Sequence, residues 1–166
     1  MPDFDQIVEE YTRPIYNFVY RLCGSREEAE DLTQEVFLKV WKNLGKFDPE
    51  KSSKTWIFTI ARNTTIDWLR KKKSINFSQM DTAHDEPFED GLADIEPLPD
   101  EIFQRKELAY DLESALSKIP PDHKMIILLH HTEDLTFEEI SIITDKPMNT
   151  VKSQYRRALI MLRKYL

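Results

Sequence analysis

The chain reads as all-α, with two small helical domains joined by an acidic, flexible linker. Three observations predict this. Apolar residues recur at spacings of three and four through most of residues 4–72 and 102–166. Helix-start and helix-stop residues punctuate those stretches, and 3 glycines are too few for the turns of an all-β fold. Between them, residues 74–101 lack a convincing period and carry Pro87, Pro97 and Pro99, which predicts a tether rather than a packed element. The expected boundaries are therefore 1–73, 74–101 and 102–166.

The net charge of −7 argues at first against a nucleic-acid partner, but it is unevenly spread. Residues 1–73 carry 13 basic and 12 acidic side chains, and residues 102–166 carry 10 and 9, so each flank is close to neutral. The linker holds 9 acids and no lysine or arginine. Two near-neutral domains with locally basic faces remain. The acidic segment reads either as a solubilising strap or as a mimic of nucleic-acid charge that occupies or repels a basic surface.

Phe4, Ile7, Val8, Tyr11, Ile15, Phe18, Val19 and Leu22 predict the first helix, which Pro14 is expected to kink or split and Gly24 to end. Ser25 and Glu28 form a capping-box pattern that opens a second helix, running to Leu44 with Gly45 as its stop. Its expected core side is Ala29, Leu32, Val36, Phe37, Val40 and Trp41. Asp31, Gln34, Glu35, Leu38 and Lys42 lie opposite. Residues 45–53 form a polar loop before a third helix from Lys54 to Lys72, with Ile57, Ile60, Ala61 and Trp68 inward. From Lys51 to Lys73 there are seven basic residues and one acid, Asp67, interleaved with Trp56, Phe58 and Trp68. Rings that stack bases and cations that hold the backbone are what single-stranded nucleic acid requires. On residues alone, a buried tryptophan pair under a solvated basic cluster is the simpler account.

In the C-terminal part, Leu108, Leu112, Ala115, Leu116 and Ile119 predict a helix over 102–118, broken by Pro120-Pro121. A short apolar helix then spans 122–131. Thr136 with Glu139 is a capping box, followed by Phe137, Ile140 and Ile143, and Asp145-Lys146-Pro147 stops that helix. A last helix restarts at Asn149. It has Val151, Tyr155, Ala158, Leu159, Leu162 and Leu166 on one side and Lys152, Ser153, Arg156, Arg157, Arg163 and Lys164 on the other. No acid lies between Asn149 and Leu166. Two short helices, a tight turn and a basic outer face suit a helix laid in the major groove; an amphipathic terminal helix with a solvated face is the plainer alternative.

Several classes of chemistry have no motif here. The sequence contains no glycine-rich phosphate loop, Gly-x-Ser-x-Gly elbow or His-Glu-x-x-His pattern, so no enzyme activity and no cofactor are expected. His123, His130, His131 and Glu133 make a poor metal set, because adjacent helical histidines point about 100° apart. The lone Cys23 reads as a half-buried thiol. No apolar run approaches the ~18 residues that span a bilayer, and the acidic Met1-Pro2-Asp3-Phe4-Asp5 start does not resemble a signal peptide, so a cytoplasmic location is expected.

Two motif sets carry a resemblance. Glu30-Asp31-Leu32-Thr33-Gln34-Glu35-Val36-Phe37-Leu38-Lys39-Val40-Trp41, then Trp56-Ile57, Ile60-Ala61-Arg62-Asn63 and Asp67-Trp68-Leu69-Arg70, resemble region two of bacterial RNA polymerase sigma factors. Glu139-Ile140 and Pro147 through Thr150-Val151-Lys152-Ser153 resemble region four. With only these regions and a short linker, the chain is similar to the extracytoplasmic-function group. The resemblance implies a promoter-specificity subunit that docks on core RNA polymerase through the β′ clamp helices and the β flap. Asp31, Gln34, Glu35 and Leu38 would meet the clamp helices. Lys46, Phe47, Lys51, Ser52, Ser53, Trp56, Arg62, Asn63 and Arg70 would capture the melted minus-ten element. Asn149, Thr150, Lys152, Ser153, Arg156 and Arg157 would read and clamp the minus-thirty-five duplex. It also reverses the simpler account of the 51–73 cluster, runs the acidic linker through the polymerase cleft, and implies an anti-sigma factor as a further partner.

Three positions depart from the family's usual residues. Ser53 stands for an aromatic, which predicts looser packing under the loop; Asn149 stands for a glycine and Gln154 for an arginine. The competing readings are a stand-alone helix-turn-helix regulator with an N-terminal interaction module, and a protein-interaction adaptor that uses no DNA.

Overall fold

The computed structural model describes residues 2–76 and 99–166. Among the described residues there are seven α-helices and no strand: α1 Phe4–Cys23, α2 Arg26–Asn43, α3 Ser53–Asn76, α4 Pro99–Ser117, α5 Pro121–Ile127, α6 Phe137–Thr144 and α7 Met148–Tyr165. The helices at 53–76 and 99–117 extend into the expected linker from both sides; the remainder of that linker lies outside the described residues.

Local chemistry sets most of the boundaries. Asp3 caps α1, and Gly24 closes it at φ 74°, a left-handed conformation that glycine adopts without Cβ strain, while its N–H donates to the Tyr20 carbonyl. Pro14 sits inside α1 without ending it, so the expected split does not occur. The buried face of Ile7, Tyr11, Ile15, Phe18 and Leu22 runs through the proline and outweighs one missing donor. Ser25 accepts from the Glu28 N–H at 3.4 Å and opens α2. Gly45 does not provide a left-handed stop; α2 instead tightens into a 3₁₀ turn over Leu44–Lys46.

Helices α1, α2 and α3 pack into a bundle around Phe18, Val36, Val40, Ile57, Phe58 and Ala61, with the rings of Phe18 and Phe58 edge-to-face at 5.4 Å. Trp41, expected on the core side, is 60% exposed. Its ring lies edge-on against Phe4 at 4.9 Å, at the end of the helix where the bundle has run out of partners. In the second bundle Ala115, Leu116 and Ile119 are buried as expected, but Leu108 and Leu112 of α4 are exposed, because the first turns of that helix project past the bundle. The α5 helix passes into one turn of π-helix over Leu128–Thr132 before the loop to α6.

The two bundles meet directly. Met125, Ile126, Leu128, Leu129, Leu135, Ile140, Ile143 and Val151 belong to the same apolar cluster as the core of α1–α3. The contacts run mainly from α3 to α6, with a smaller one from α1 to α5. A smaller cluster of Leu116, Ile119, Ile127 and Ala158 ties α4, α5 and α7 together.

Candidate nucleic-acid interfaces

The helix-turn-helix is fixed at three points. At its start, the Thr136 hydroxyl accepts from the Glu139 N–H at 3.2 Å while the Glu139 carboxylate accepts from the Thr136 N–H at 2.8 Å, a complete capping box. At the turn, Asp145 takes the left-handed conformation at φ 52°, which aspartate tolerates better than most side chains, and Pro147 sets the angle of entry to α7. Beneath it, His130 stacks on Phe137 at 4.5 Å and the Tyr155 hydroxyl hydrogen-bonds the His131 ring at 2.7 Å. These contacts clamp α6 and α7 to the π-helical turn. The histidines are therefore packing groups, and no cluster fit for a metal ion occurs among the described residues.

Helix α7 buries Val151 and Ala158 and leaves Asn149, Thr150, Ser153, Arg156 and Arg157 exposed; Lys152 is half-buried along the same face. Leu159 and Leu166, expected inward, stand on the surface at 37% and 65% exposure. A shallow, open depression is lined by Asn149, Thr150, Ser153, Gln154 and Arg157. Gln154 is turned back to the tight turn, accepting from Lys146 Nζ at 3.3 Å. Arg156 and Arg157 have no ion pair or hydrogen bond among the described residues, so both guanidinium groups can serve phosphates.

The second surface is the loop between α2 and α3 with the outer face of α3. Lys46, Lys51, Ser52, Asn63 and Arg70 are exposed, and Ser53, Trp56 and Arg62 half-buried. Phe47 departs from its expected role. It is 8% exposed and packs on Trp56 with ring centroids 4.8 Å apart, so in this conformation it props up the loop and offers no face to a base. Ser53, which stands for an aromatic, is half-buried next to the Tyr11 phenol, whose burial pushes it above its ordinary pKa. Arg62 donates to Asn63 Oδ1 at 3.0 Å while its Nε is buried without a partner, and Lys72 covers Trp68 at 4.7 Å.

Asp31, Gln34, Glu35 and Leu38 share the exposed side of α2, with Leu38 59% exposed and Trp41 extending the patch. Glu35 pairs with Lys39 at 2.9 Å, and Lys39 also donates to Thr64 of α3 at 3.1 Å. Sequence reasoning missed Glu133 and Lys54, which meet across the two bundles. The Lys54 ammonium sits 3.7 Å from the Glu133 carboxylate and donates to the Glu133 carbonyl. No periodic signal points to such a pair, because its members are 79 residues apart.

Two family profiles match the chain. The profile Sigma-70 region 2 matches residues 7–75, and Sigma-70, region 4 matches residues 110–162. The chain is 34% identical over 170 residues to the ECF RNA polymerase sigma factor SigW of Bacillus subtilis, covering 98% of this chain and 88% of that protein. It is 31% identical to the ECF RNA polymerase sigma-E factor of Escherichia coli, covering 93% and 82%. Against the ECF RNA polymerase sigma factor SigE of Mycolicibacterium smegmatis it is 32% identical and spans 62% of that longer protein. Among solved structures, the sigma factor RpoE in complex with the anti-sigma factor NepR from Bartonella quintana superposes with a TM-score of 0.81 at 22% identity, over 99% of this chain and 97% of that one. CnrH in complex with the cytosolic domain of CnrY gives 0.67 at 17% identity, over 97% and 85%. At such identities these two likenesses speak to the fold alone.

Proposed function

This chain belongs to the extracytoplasmic-function group of RNA polymerase sigma factors, and we propose that its two bundles divide one promoter between them. As a sigma factor it is a promoter-specificity subunit: it gives core polymerase a start site and leaves the chemistry of RNA synthesis to the polymerase. The exposed α7 face of Asn149, Thr150, Lys152, Ser153, Arg156 and Arg157 reads and clamps the minus-thirty-five duplex. Arginines neutralise phosphates there, while Asn149 and Ser153 at the start of the helix reach base edges. The α2–α3 loop with Lys46, Lys51, Ser52, Ser53, Trp56, Arg62, Asn63 and Arg70 holds the melted minus-ten strand, using a ring to stack an unpaired base and cations along the backbone.

Asp31, Gln34, Glu35 and Leu38 dock on the β′ clamp helices, and the C-terminal bundle meets the β flap. The acidic stretch between the bundles occupies the basic polymerase cleft. Two of the similar solved proteins were captured with an anti-sigma factor or with the cytosolic domain of CnrY, which supports a protein inhibitor of the same kind for this chain. The observation that carries the reading is the pairing, on one short chain, of a helix-turn-helix whose second helix is basic and free of acids from Asn149 to Leu166 with a basic, aromatic-bearing loop and helix.

Run-off transcription by core polymerase over a library of promoter sequences tests it. Start sites should appear only when the chain is added, and only on templates sharing a minus-thirty-five and a minus-ten element. Failure to co-migrate with core polymerase, or duplex binding that is complete without polymerase, would overturn it in favour of a stand-alone regulator.

A further inference from the structure

The tight turn before α7 carries a lysine that holds a glutamine of the exposed helix face. Asp145 turns the chain at φ 52°, the Lys146 N–H donates to the Ser141 carbonyl at 3.1 Å, and Pro147 follows at φ −56°. The backbone therefore sets where the Lys146 side chain starts. Although Asp145 precedes it, Lys146 makes no ion pair among the described residues. Its ammonium donates instead to Gln154 Oε1 at 3.3 Å, eight residues on. Gln154 is half-buried and lines the same depression as Asn149, Thr150, Ser153 and Arg157. An ammonium has donors and no acceptor, so it can engage only the oxygen of the amide. The two hydrogens on Gln154 Nε2 are left without a partner among the described residues.

Resting on the promoter-grip reading above, we propose that Gln154 is a further specificity residue for the minus-thirty-five duplex, and that Lys146 is the positioning residue that makes it read as a donor only. Gln154 lies in the second turn of α7, in the half of the helix that meets base edges when such a helix enters the major groove. A free glutamine pairs best with adenine, donating to N7 and accepting from the N6 amino group. Lys146 removes that option. Its ammonium occupies Oε1, and its charge beside the remaining lone pair repels the positive hydrogens of N6. Guanine presents two acceptors side by side, N7 and O6, which suit the two hydrogens of Nε2. The bond to a cation also polarises the amide and strengthens those donors. Held in this way, a neutral side chain takes on the donor-only character of a guanidinium, and the base pair under Gln154 is read as guanine against adenine.

Binding of the holoenzyme to a promoter library varied at every base pair of the minus-thirty-five element tests this. The wild type should prefer guanine to adenine by about tenfold at one base pair. Gln154→Ala should flatten the preference there and leave the other positions as they were. Lys146→Met frees Oε1 and should move that same position towards adenine, whereas Lys146→Arg, which again occupies Oε1, should keep guanine. A folded Gln154→Ala variant with an unchanged profile overturns the specificity role. Retention of guanine by Lys146→Met overturns the positioning role.

A salt series separates this from a phosphate contact by Lys146. On the preferred duplex, Lys146→Met should keep the wild-type slope of log affinity against log salt. A slope shallower by about 0.9 with an unchanged base profile would make Lys146 a phosphate contact and overturn the proposal. Should the chain bind the duplex fully without polymerase, the sigma reading fails while the base profile of the free chain still decides Gln154. Absence of duplex binding in either form overturns both.

Discussion

Replacing Arg156 and Arg157 by alanine should change the salt dependence of promoter binding by an amount that can be worked out in advance. Both side chains are exposed on the outer face of α7, and neither pairs with an acid among the described residues. If each neutralises one phosphate, the double change removes two contacts. Each contact contributes about −0.9 to the slope of log affinity against log salt, so the slope becomes shallower by about 1.8. Between 50 and 200 mM salt the wild-type complex should then lose about 12-fold more affinity than the variant. Fluorescence anisotropy of the holoenzyme on a labelled promoter duplex, across a salt series, reads this directly. Parallel lines for the two proteins, with a uniform loss of affinity at every salt concentration, would refute phosphate clamping by this pair. Helix α7 would then act as an amphipathic packing element with a solvated face.

Other outcomes follow from the same structure. Glu35→Lys should leave DNA contacts intact and weaken co-migration with core polymerase, because it reverses a charge on the exposed α2 face and loses the pair with Lys39. Thr136→Ala removes one arm of a complete capping box and should cost about 1 kcal/mol, lowering the melting temperature by about 2–4 °C. Phe58→Ala empties a fully buried position and should cost about 3–5 kcal/mol, seen as an earlier urea midpoint with little change in slope.

Glu133 predicts a pH dependence whose sign can be worked out. Burial raises its carboxyl above the ordinary 4.5; Lys54 and Arg21 pull it down and Asp134 pushes it further up, leaving a net rise. The folded chain therefore binds more protons than the unfolded one in the window above 4.5. This contribution to stability is fully present below 4.5 and is lost as pH rises through the raised value. Glu133→Gln, neutral throughout, should remove that slope from the urea midpoint, and an unchanged slope would assign it to another group.

The elements were legible where chemistry is local. Thr136 with Glu139, Gly24, Pro120-Pro121 and the apolar spacing of Ile7 through Leu22 each act within a few residues, and each placed a helix end or a buried face. The candidate nucleic-acid residues were legible through the absence of acids after Asn149 and the cations around Trp56. What failed depends on where a helix stops having neighbours. Trp41, Leu108 and Leu112 fit the helical period of their segments, yet each lies where the bundle ends, and periodicity carries no information about that. Pro14 was over-weighted, since a face of buried residues on both sides holds the helix through one missing donor. The contact between the bundles was out of reach for a different reason. Lys54 and Glu133 are each an ordinary surface-type residue in sequence, and only the tertiary arrangement brings them together.

The single apolar cluster that runs through both bundles ties their unfolding together. Phe18 and Ile140 belong to one cooperative unit, so loss of packing in the helix-turn-helix is felt as faster amide exchange in α1 and α3. Neither core is complete without the other, and the two bundles should therefore melt in a single transition.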